Sequence, residues 1–193
     1  MSHDTYRLGL PLRTPEDDDP QVADLLQGHK KAIGMVPNMY AAMANLPALL
    51  ETYSFGYERF RKTSGFTPAE QEIVFLTISR ANACTYCVAA HSMLADTMSN
   101  VPTQATDAVR NGDAISDGKL EALRRFTDVM VVSRGNPSAD RAQAFLDAGY
   151  DETQILAIIL AIGVKVFSNY SNHVFHTEVD PAFAGRRWAL PND

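Results

Sequence analysis

The chain is poor in cysteine, in tryptophan and in long apolar runs, and each shortage excludes a class of protein. It has two cysteines and one tryptophan in 193 residues. Two cysteines are too few for a scaffold held together by disulfides. No apolar run reaches the roughly 18 residues that a membrane span needs. The most apolar stretch, 155–166, contains Gly163 and Lys165, so we expect a core helix there and no membrane association.

Positive charge is also scarce. The net charge is −6 and the sequence pI is about 5.3. The basic pair Arg186-Arg187 is too small for a nucleic-acid surface, so we expect no nucleic-acid partner. The first residues lack the charged and apolar segments of a signal peptide, which favours a cytoplasmic location. Apolar content of 46% is ordinary for a globular protein.

Alternating strand-like runs are absent, and helix signals recur along the whole chain. Thr67-Pro68-Ala69-Glu70 and Asp151-Glu152-Thr153-Gln154 each have the pattern of a helix capping box. Glycines follow several apolar-periodic segments as helix stops. The sequence therefore predicts an all-α fold of eight or nine helices in one domain, 1–193. Residues 1–14 and 180–193 lack helical periodicity and are predicted to be N-terminal and C-terminal arms.

The two cysteines lie three positions apart, as Cys84 and Cys87, and His91 follows on the same predicted helix. Positions i, i+3 and i+7 share one helix face, so the two thiols and the imidazole should lie together. Glu72 precedes them on a separate predicted helix. An imidazole can take a proton from a thiol, and a carboxylate can orient that imidazole. The pattern predicts a dithiol with a proton relay.

Glu72, Cys84, Cys87 and His91 form the pattern E-x11-C-x-x-C-x3-H. This pattern resembles the AhpD-like alkylhydroperoxidase motif of the carboxymuconolactone decarboxylase superfamily. The segments 79–83 and 34–38, with sequences SRANA and GMVPN, are similar to its peroxidase-related branch, and the resemblance covers about residues 30–180. Members often carry a histidine between the cysteines, where this chain has Tyr86. The resemblance implies a single-domain AhpD-like helical fold with the C-x-x-C at a helix N-terminus.

The resemblance also implies a function, that of a thiol-dependent peroxidase with no cofactor. A thiolate would reduce a hydroperoxide and become a sulfenic acid, the second cysteine would close a disulfide, and a lipoyl group or a thioredoxin-like protein would reopen it. We expect Cys87 to attack and Cys84 to resolve, because His91 is one turn from Cys87. Cys84 has a claim of its own, since the first turn of a helix favours a thiolate.

Other readings of the same residues stay open at this point. Two cysteines, a histidine and a glutamate are a legitimate zinc set. A non-enzymatic redox sensor and a decarboxylase-type member of the superfamily are further alternatives. Elsewhere, the polar and aromatic residues near the predicted site or on the last helix are more simply structural than functional: Tyr86, Asn169, Asn172, His173 and His176.

A homo-oligomer is the last expectation. The stretches 73–78 and 155–166 are apolar on more than one helix face, and such helices need partners on all sides. The arms carry large apolar residues such as Tyr6, Phe183 and Trp188. The resemblance implies trimers and hexamers, and a dimer is also possible.

Overall fold

The computed structural model describes residues 5–190, and within that range the chain forms helices and no strands. Nine α helices are followed by one 3₁₀ helix, Pro181–Arg186. In chain order they are α1 (Pro20–Ile33), α2 (Asn38–Met43), α3 (Pro47–Thr63), α4 (Pro68–Ala81), α5 (Thr85–Thr97), α6 (Thr103–Asn111), α7 (Gly118–Val132), α8 (Ala139–Asp147) and α9 (Glu152–Phe175). The predicted all-α fold is confirmed.

Helix starts follow the capping signals of the sequence. At α4 the hydroxyl of Thr67 accepts from the backbone N–H of Glu70, and the Glu70 carboxylate accepts from the backbone N–H of Thr67. Asp151 and Gln154 make the same reciprocal pair at α9. The motif helix α5 begins at Thr85, with Cys84 as its N-cap, and ends at Thr97. The C-x-x-C therefore lies at a helix N-terminus, as the resemblance implies.

Helix α4 is the centre of the domain. All ten residues from Glu70 to Ser79 are buried, and α4 packs against α5, α6, α7 and α9. This explains why its sequence is apolar on every side: its partners belong to the same chain. Glu72 is therefore carried on the most enclosed helix of the domain.

Helix α9 has two different faces. Its inner face packs against α2, α3, α4, α5 and α7. Its outer face leaves several large apolar side chains exposed: Leu156, Ile159, Leu160, Tyr170 and Val174. By length and hydropathy, α9 is the one helix in residues 5–190 that could cross a membrane. Its inner face buries Lys165, Ser168 and Asn169 in the domain, which is the pattern of a core helix.

Both arms dock on their own domain. In the N-terminal arm the backbone N–H of Leu8 donates to the carbonyl of Val174 at 2.8 Å. In the C-terminal arm Phe183 is buried against Tyr86, and the indole N–H of Trp188 donates to the carbonyl of Arg110 at 3.0 Å. The apolar residues of the C-terminal arm therefore have partners within the chain. Residues 1–4 and 191–193 of the two arms lie outside the described residues.

Candidate active site

A tight turn between α4 and α5 positions the first cysteine. Ala83 adopts a left-handed conformation, with φ of 57°, which is uncommon for a residue other than glycine. The backbone N–H of Cys84 then donates to the carbonyl of Ser79 at 2.9 Å. The side chain of Asn82 donates to Oδ1 of Asn169 at 2.9 Å. This bond ties the turn to α9 and fixes where α5 begins.

The two cysteines are reduced and buried, and their pKa values are shifted in opposite directions. The thiol of Cys84 hydrogen-bonds to Cys87, and this bond, with burial, raises the pKa of Cys84 well above its usual value. Burial also opposes ionisation of Cys87, but the bond from Cys84 and the charge of Lys165 outweigh it and hold the pKa of Cys87 well below its usual value. Cys87 is therefore the thiolate of the pair and Cys84 is its hydrogen-bond donor.

A buried lysine lies at the centre of the site. Lys165, on α9, has no exposed surface, and its Nζ lies 2.9 Å from Nε2 of His91. A lysine ammonium only donates hydrogen bonds, so Nε2 of His91 is the acceptor. Lys165 thus provides a positive charge beside both the Cys87 thiolate and the imidazole.

His91 is held in one tautomer by its two neighbours. Its Nδ1 lies 2.8 Å from Oε2 of Glu72, so the Nδ1–H donates to the carboxylate while Nε2 accepts from Lys165. Burial and the charge of Lys165 lower the pKa of His91, with Glu72 opposing them. The imidazole is therefore neutral at neutral pH. Because Nε2 accepts from Lys165 in this structure, the role of His91 as acceptor of the Cys87 proton stays a prediction.

Glu72 is a buried carboxylate with two partners. It bonds His91 through one oxygen and Arg61 through the other. Burial would raise the pKa of Glu72, but His91 and Arg61 outweigh burial and the pKa is lowered. Arg61 also donates to the hydroxyl of Tyr57 at 2.6 Å. The carboxylate is therefore ionised and anchored by both Arg61 and His91.

The aromatic ring of Phe75 packs against His91, Arg61 and Lys165. Its centroid is 4.9 Å from that of the His91 ring, and 4.9 Å and 5.6 Å from the cationic ends of Arg61 and Lys165. Cations over a ring face are stabilised by its quadrupole, more strongly where water is excluded. A ring with no exposed surface thus offsets part of the cost of burying two cations.

Asn172 contacts both sulfurs. Its amide N–H groups lie 3.3 Å from Sγ of Cys87 and 3.7 Å from Sγ of Cys84. Lys165, Asn169 and Asn172 occur at i, i+4 and i+7 along α9, so they lie on one face. Side chains on that face bond the turn before Cys84, the two sulfurs and the imidazole, and so fix their relative positions.

The structure brings Glu72, Cys84, Cys87 and His91 into one buried cluster, as the sequence predicts. It adds Lys165, Arg61 and Asn172, to which the sequence analysis gave no role in the site. Lys165 carried a signal, since a lysine inside an otherwise apolar helix calls for a buried partner. Arg61 carried none, because a basic residue in the last turn of a helix is ordinary.

Cys87 opens into an aromatic cavity of about 440 Å³. Four tyrosines and four methionines contribute to its wall: Tyr40, Tyr53, Tyr57, Tyr86, Met35, Met39, Met93 and Met98. Cys87, His91 and Lys165 supply its polar groups. A mostly apolar pocket with a few convergent polar groups is the usual form of a small-molecule site.

Cys84 opens into a different space, a groove of about 590 Å³ at the end of α9. This Cys84 groove is lined by Ala83, Cys84, Thr85, Tyr86, Asn172, His173, His176 and Thr177, with Thr5 and Leu190 from the two arms. Tyr86 borders both spaces. Its hydroxyl donates to Asp180 at 2.5 Å, and Asp180 also accepts from the backbone N–H of Asn38 at 3.2 Å.

The alternative of a metal site has no matching geometry in residues 5–190. No group of three or more His, Cys, Asp or Glu side chains there is arranged to hold an ion. Glu72 and His91 bond each other, and the remaining contacts of each go to Arg61 and Lys165. Within the described chain, His173 and His176 bring no third ligand to the Cys84 groove.

Comparisons with known proteins agree with this fold. The family model of the carboxymuconolactone decarboxylase family matches residues 44–128, which include all four motif residues. No curated protein sequence matches the chain. The chain is therefore similar to this family over the segment that carries the motif.

Solved structures of the same fold cover nearly the whole chain. An uncharacterized peroxidase-related protein with an alkylhydroperoxidase AhpD core, from Ralstonia eutropha JMP134, is 18% identical with a TM-score of 0.79, over 90% of this chain and 93% of its own. A peroxidase-related protein from Silicibacter sp. TM1040 is 20% identical with a TM-score of 0.77, over 95% and 96%. The debrominase Bmp8, as a cysteine-to-alanine variant in complex with 2,3,4-tribromopyrrole, is 18% identical with a TM-score of 0.73, over 92% and 96%. Identities of 18–20% show a shared fold.

Proposed function

We propose that this protein is a thiol-dependent peroxidase that reduces an apolar organic hydroperoxide through a Cys84/Cys87 dithiol–disulfide cycle. The observation that carries the proposal is the position of Cys87. Its thiolate lies beside Lys165 in the wall of the aromatic cavity, with the Cys84 thiol bonded to it. A nucleophile, a cation and a resolving thiol are thus present at one point.

The first step uses the thiolate and the lysine. The Cys87 thiolate attacks one oxygen of the hydroperoxide, an S–O bond forms, and the O–O bond breaks. The departing alkoxide needs a proton, and the Lys165 ammonium beside Cys87 can donate it. The neutral imidazole of His91 accepts a hydrogen bond from Lys165, and Glu72 orients that imidazole, so the two residues hold Lys165 in place. The products are an alcohol and a Cys87 sulfenic acid.

The second step closes the disulfide. The sulfur of Cys84 attacks that of Cys87, the S–S bond forms, and the hydroxyl group leaves as water with one added proton. The amide of Asn172 contacts both sulfurs and can donate to the sulfenate oxygen that precedes this step. An external dithiol, such as a lipoyl group or a thioredoxin-like protein, then supplies two electrons to restore both thiols.

The test is a two-part assay on wild type, Cys84→Ser and Cys87→Ser. Cumene hydroperoxide should remove both wild-type thiols, with a mass loss of two hydrogens. The Cys84→Ser variant should stop at a sulfenic acid that dimedone traps, and the Cys87→Ser variant should not react. Oxygen addition to the wild type without disulfide formation would contradict the proposal.

A second candidate is reductive dehalogenation of a halogenated aromatic ring. The aromatic character of the cavity favours a ring-shaped substrate, and a structure of the same fold is that of a debrominase. Replacing a carbon–halogen bond by carbon–hydrogen consumes two electrons, which the dithiol can supply by forming its disulfide. Reduced protein incubated with 2,3,4-tribromopyrrole would release one bromide for each disulfide formed. No bromide release, with full peroxidase activity, would exclude this candidate.

A further inference from the structure

Three separate segments of the chain supply part of the wall of the aromatic cavity. Each contributes side chains to it: Met39 and Tyr40 from α2, Tyr86 from α5, and Ala182 and Phe183 from the C-terminal arm. The segments are far apart in the sequence, so contacts between them must set their relative positions. All three meet at one carboxylate, that of Asp180, the first residue of the C-terminal arm.

Asp180 fixes the start of α2. The N-cap of this helix, Pro37, makes no side-chain cap bond, and the first N–H groups of a helix need partners. Both carboxylate oxygens of Asp180 lie 3.2 Å from the backbone nitrogen of Asn38 and accept its N–H. The side chain of Asn38 also donates to the carbonyl of Glu178 at 3.0 Å. The helix that carries Tyr40 is therefore bonded to the base of the C-terminal arm.

Asp180 also fixes Tyr86 and the arm itself. The Tyr86 hydroxyl donates to Oδ2 of Asp180 at 2.5 Å. The backbone carbonyl of Asp180 accepts from the N–H of Phe183 at 2.9 Å, in the first turn of the 3₁₀ helix. The rings of Tyr86 and Phe183 then meet edge to face, with centroids 6.0 Å apart. Because such aromatic pairs have a specific geometry, Asp180 helps to set how both rings face the cavity.

The carboxylate of Asp180 has only these bonds to hold it in the core. The residue is 3% exposed, and no ion pair formed within residues 5–190 includes it. Burying a charge is costly unless hydrogen bonds compensate it. The backbone N–H of Asn38 and the hydroxyl of Tyr86 are those donors. Loss of the Asp180 side chain would therefore release α2, Tyr86 and the arm from one another.

We propose that Asp180 is the positioning residue of the aromatic cavity and makes the cavity selective for compact aryl hydroperoxides. Tyr40, Tyr86 and Phe183 present aromatic rings from the three segments. A rigid ring packs well against such walls, whereas a flexible chain of the same size loses more conformational freedom on binding. The inference rests on the proposed peroxidase function and adds to it the residue that sets substrate selectivity. Asp180 does not itself line the cavity, so it acts through the residues that do.

Binding of a product alcohol tests the cavity without any turnover. The probe is cumyl alcohol, which reduction of cumene hydroperoxide yields, titrated into the reduced protein in a calorimeter. Asp180→Ala should weaken its binding by about tenfold, the size expected when the geometry of one or two aromatic pairs is lost. Asp180→Asn keeps the shape of the side chain and an oxygen that can accept the N–H of Asn38, so it should recover most of the affinity.

Stopped-flow oxidation of Cys87 distinguishes positioning from a general structural role. Asp180→Ala should lower the rate constant for cumene hydroperoxide by the same factor of about ten, because the lost interaction is one of binding. The rate constant for hydrogen peroxide should not change, since that substrate needs no aromatic wall. Nonyl hydroperoxide, a straight chain of equal carbon number, should react more slowly than cumene hydroperoxide with the wild type. This preference should disappear in Asp180→Ala.

Two more variants complete the set. Tyr86→Phe keeps the ring and removes only the hydroxyl, and the double variant with Asp180→Ala should be no less selective than Asp180→Ala alone, because the two residues act through one bond. Asp117→Ala is the matched control. It removes the N-cap carboxylate of α7, which accepts from the backbone N–H of Leu120 at 2.9 Å, on a helix outside the cavity wall. It should lower thermal stability and keep the selectivity.

The outcomes separate this inference from the peroxidase proposal. Equal slowing of all three hydroperoxides by Asp180→Ala, or unchanged affinity for cumyl alcohol, would overturn the role of Asp180. Should Asp180→Ala fail to fold, unchanged selectivity in Tyr86→Phe would overturn it equally. Weaker alcohol binding by the variants of a protein that no hydroperoxide oxidises would support the role of Asp180 and remove the peroxidase function. A wild type that is oxidised without preference for cumene hydroperoxide would do the reverse.

Discussion

Replacing Lys165 by methionine tests the electrostatic basis of the site. Methionine keeps the length of the side chain and removes the charge that lies 2.9 Å from Nε2 of His91. We expect the pKa of the Cys87 thiol to rise, because burial would then be opposed mainly by the bond from Cys84. At pH 7 less of Cys87 would be thiolate, and the thiolate is the nucleophile.

The size of the effect follows from the burial of the pair. An opposite charge nearby generally changes a pKa by about one to three pH units. Lys165 has no exposed surface and Cys87 is 2% exposed, so solvent screens the interaction little. We therefore expect the midpoint of the pH–rate profile for oxidation by cumene hydroperoxide to move upward by about one to three pH units in Lys165→Met. Raising the pH should restore the thiolate and part of the rate, and the remaining deficit should reflect the lost proton donor.

Stopped-flow oxidation and iodoacetamide alkylation between pH 5 and 10 would measure this change. Lys165→Arg is the matched control, since it keeps the charge and should retain a lower thiol pKa than the methionine variant. Thermal unfolding of each variant would measure the structural cost separately, because removing one partner of a buried ion pair is generally destabilising. An unchanged pH profile in Lys165→Met would refute the role given to Lys165.

Three other predictions concern stability, substrate and assembly. Burial lowers the pKa of His91 from 6.5, and its partners lower that of Glu72 from 4.5 despite burial. The unfolded chain therefore binds more protons below each of these values, so stability should fall as the pH drops below 6.5 and again below 4.5, by about 1.4 kcal/mol per pH unit for each full proton. In urea titrations at fixed pH, Glu72→Gln should show a smaller loss of stability below pH 4.5. Cumene hydroperoxide should exceed hydrogen peroxide in kcat/KM by about 70-fold, since burying about 100 Å² of a phenyl ring contributes about 2.5 kcal/mol. Equal values would mean that the aromatic cavity does not bind substrate. The exposed apolar face of α9 should mediate self-association, so that light scattering gives a multiple of 21.2 kDa for the wild type and a smaller species for Leu160→Arg, while a monomeric wild type would contradict this.

The sequence was sufficient for the architecture because local signals and the global fold agree. Capping boxes at Thr67 and Asp151 locate the starts of α4 and α9, which are the two helices that the site depends on. The motif spacing was sufficient to group Cys84, Cys87 and His91, since i, i+3 and i+7 follow from helix geometry alone. Joining Glu72 to that group required the family resemblance, because no local rule says how α4 packs on α5.

The contribution of α9 could not be predicted in the same way. Lys165 is 74 residues from His91 along the chain, and Asn172 is 85 residues from Cys87. Contacts at that distance depend on how the helices pack, and periodicity carries no information about which helix faces which. The oligomer prediction changes for the same reason: α4 proves to be enclosed by its own chain, and the argument for a partner now depends on the outer face of α9.

The groups around Lys165 explain why a cation can be kept in the core of the domain. A buried ammonium is costly unless charges and hydrogen bonds surround it, and Lys165 has a thiolate, an imidazole and the ring of Phe75 around it. Two of these groups also depend on Lys165: its charge stabilises the Cys87 thiolate, and its hydrogen bond helps to fix the tautomer of His91. Removing the cation therefore changes the acidity of the nucleophile while the Glu72–Arg61 pair keeps its own partners. The Glu72–Arg61 ion pair anchors the imidazole on one side and Lys165 bonds it on the other, so we expect a substitution at Lys165 to change the pKa values of both Cys87 and His91.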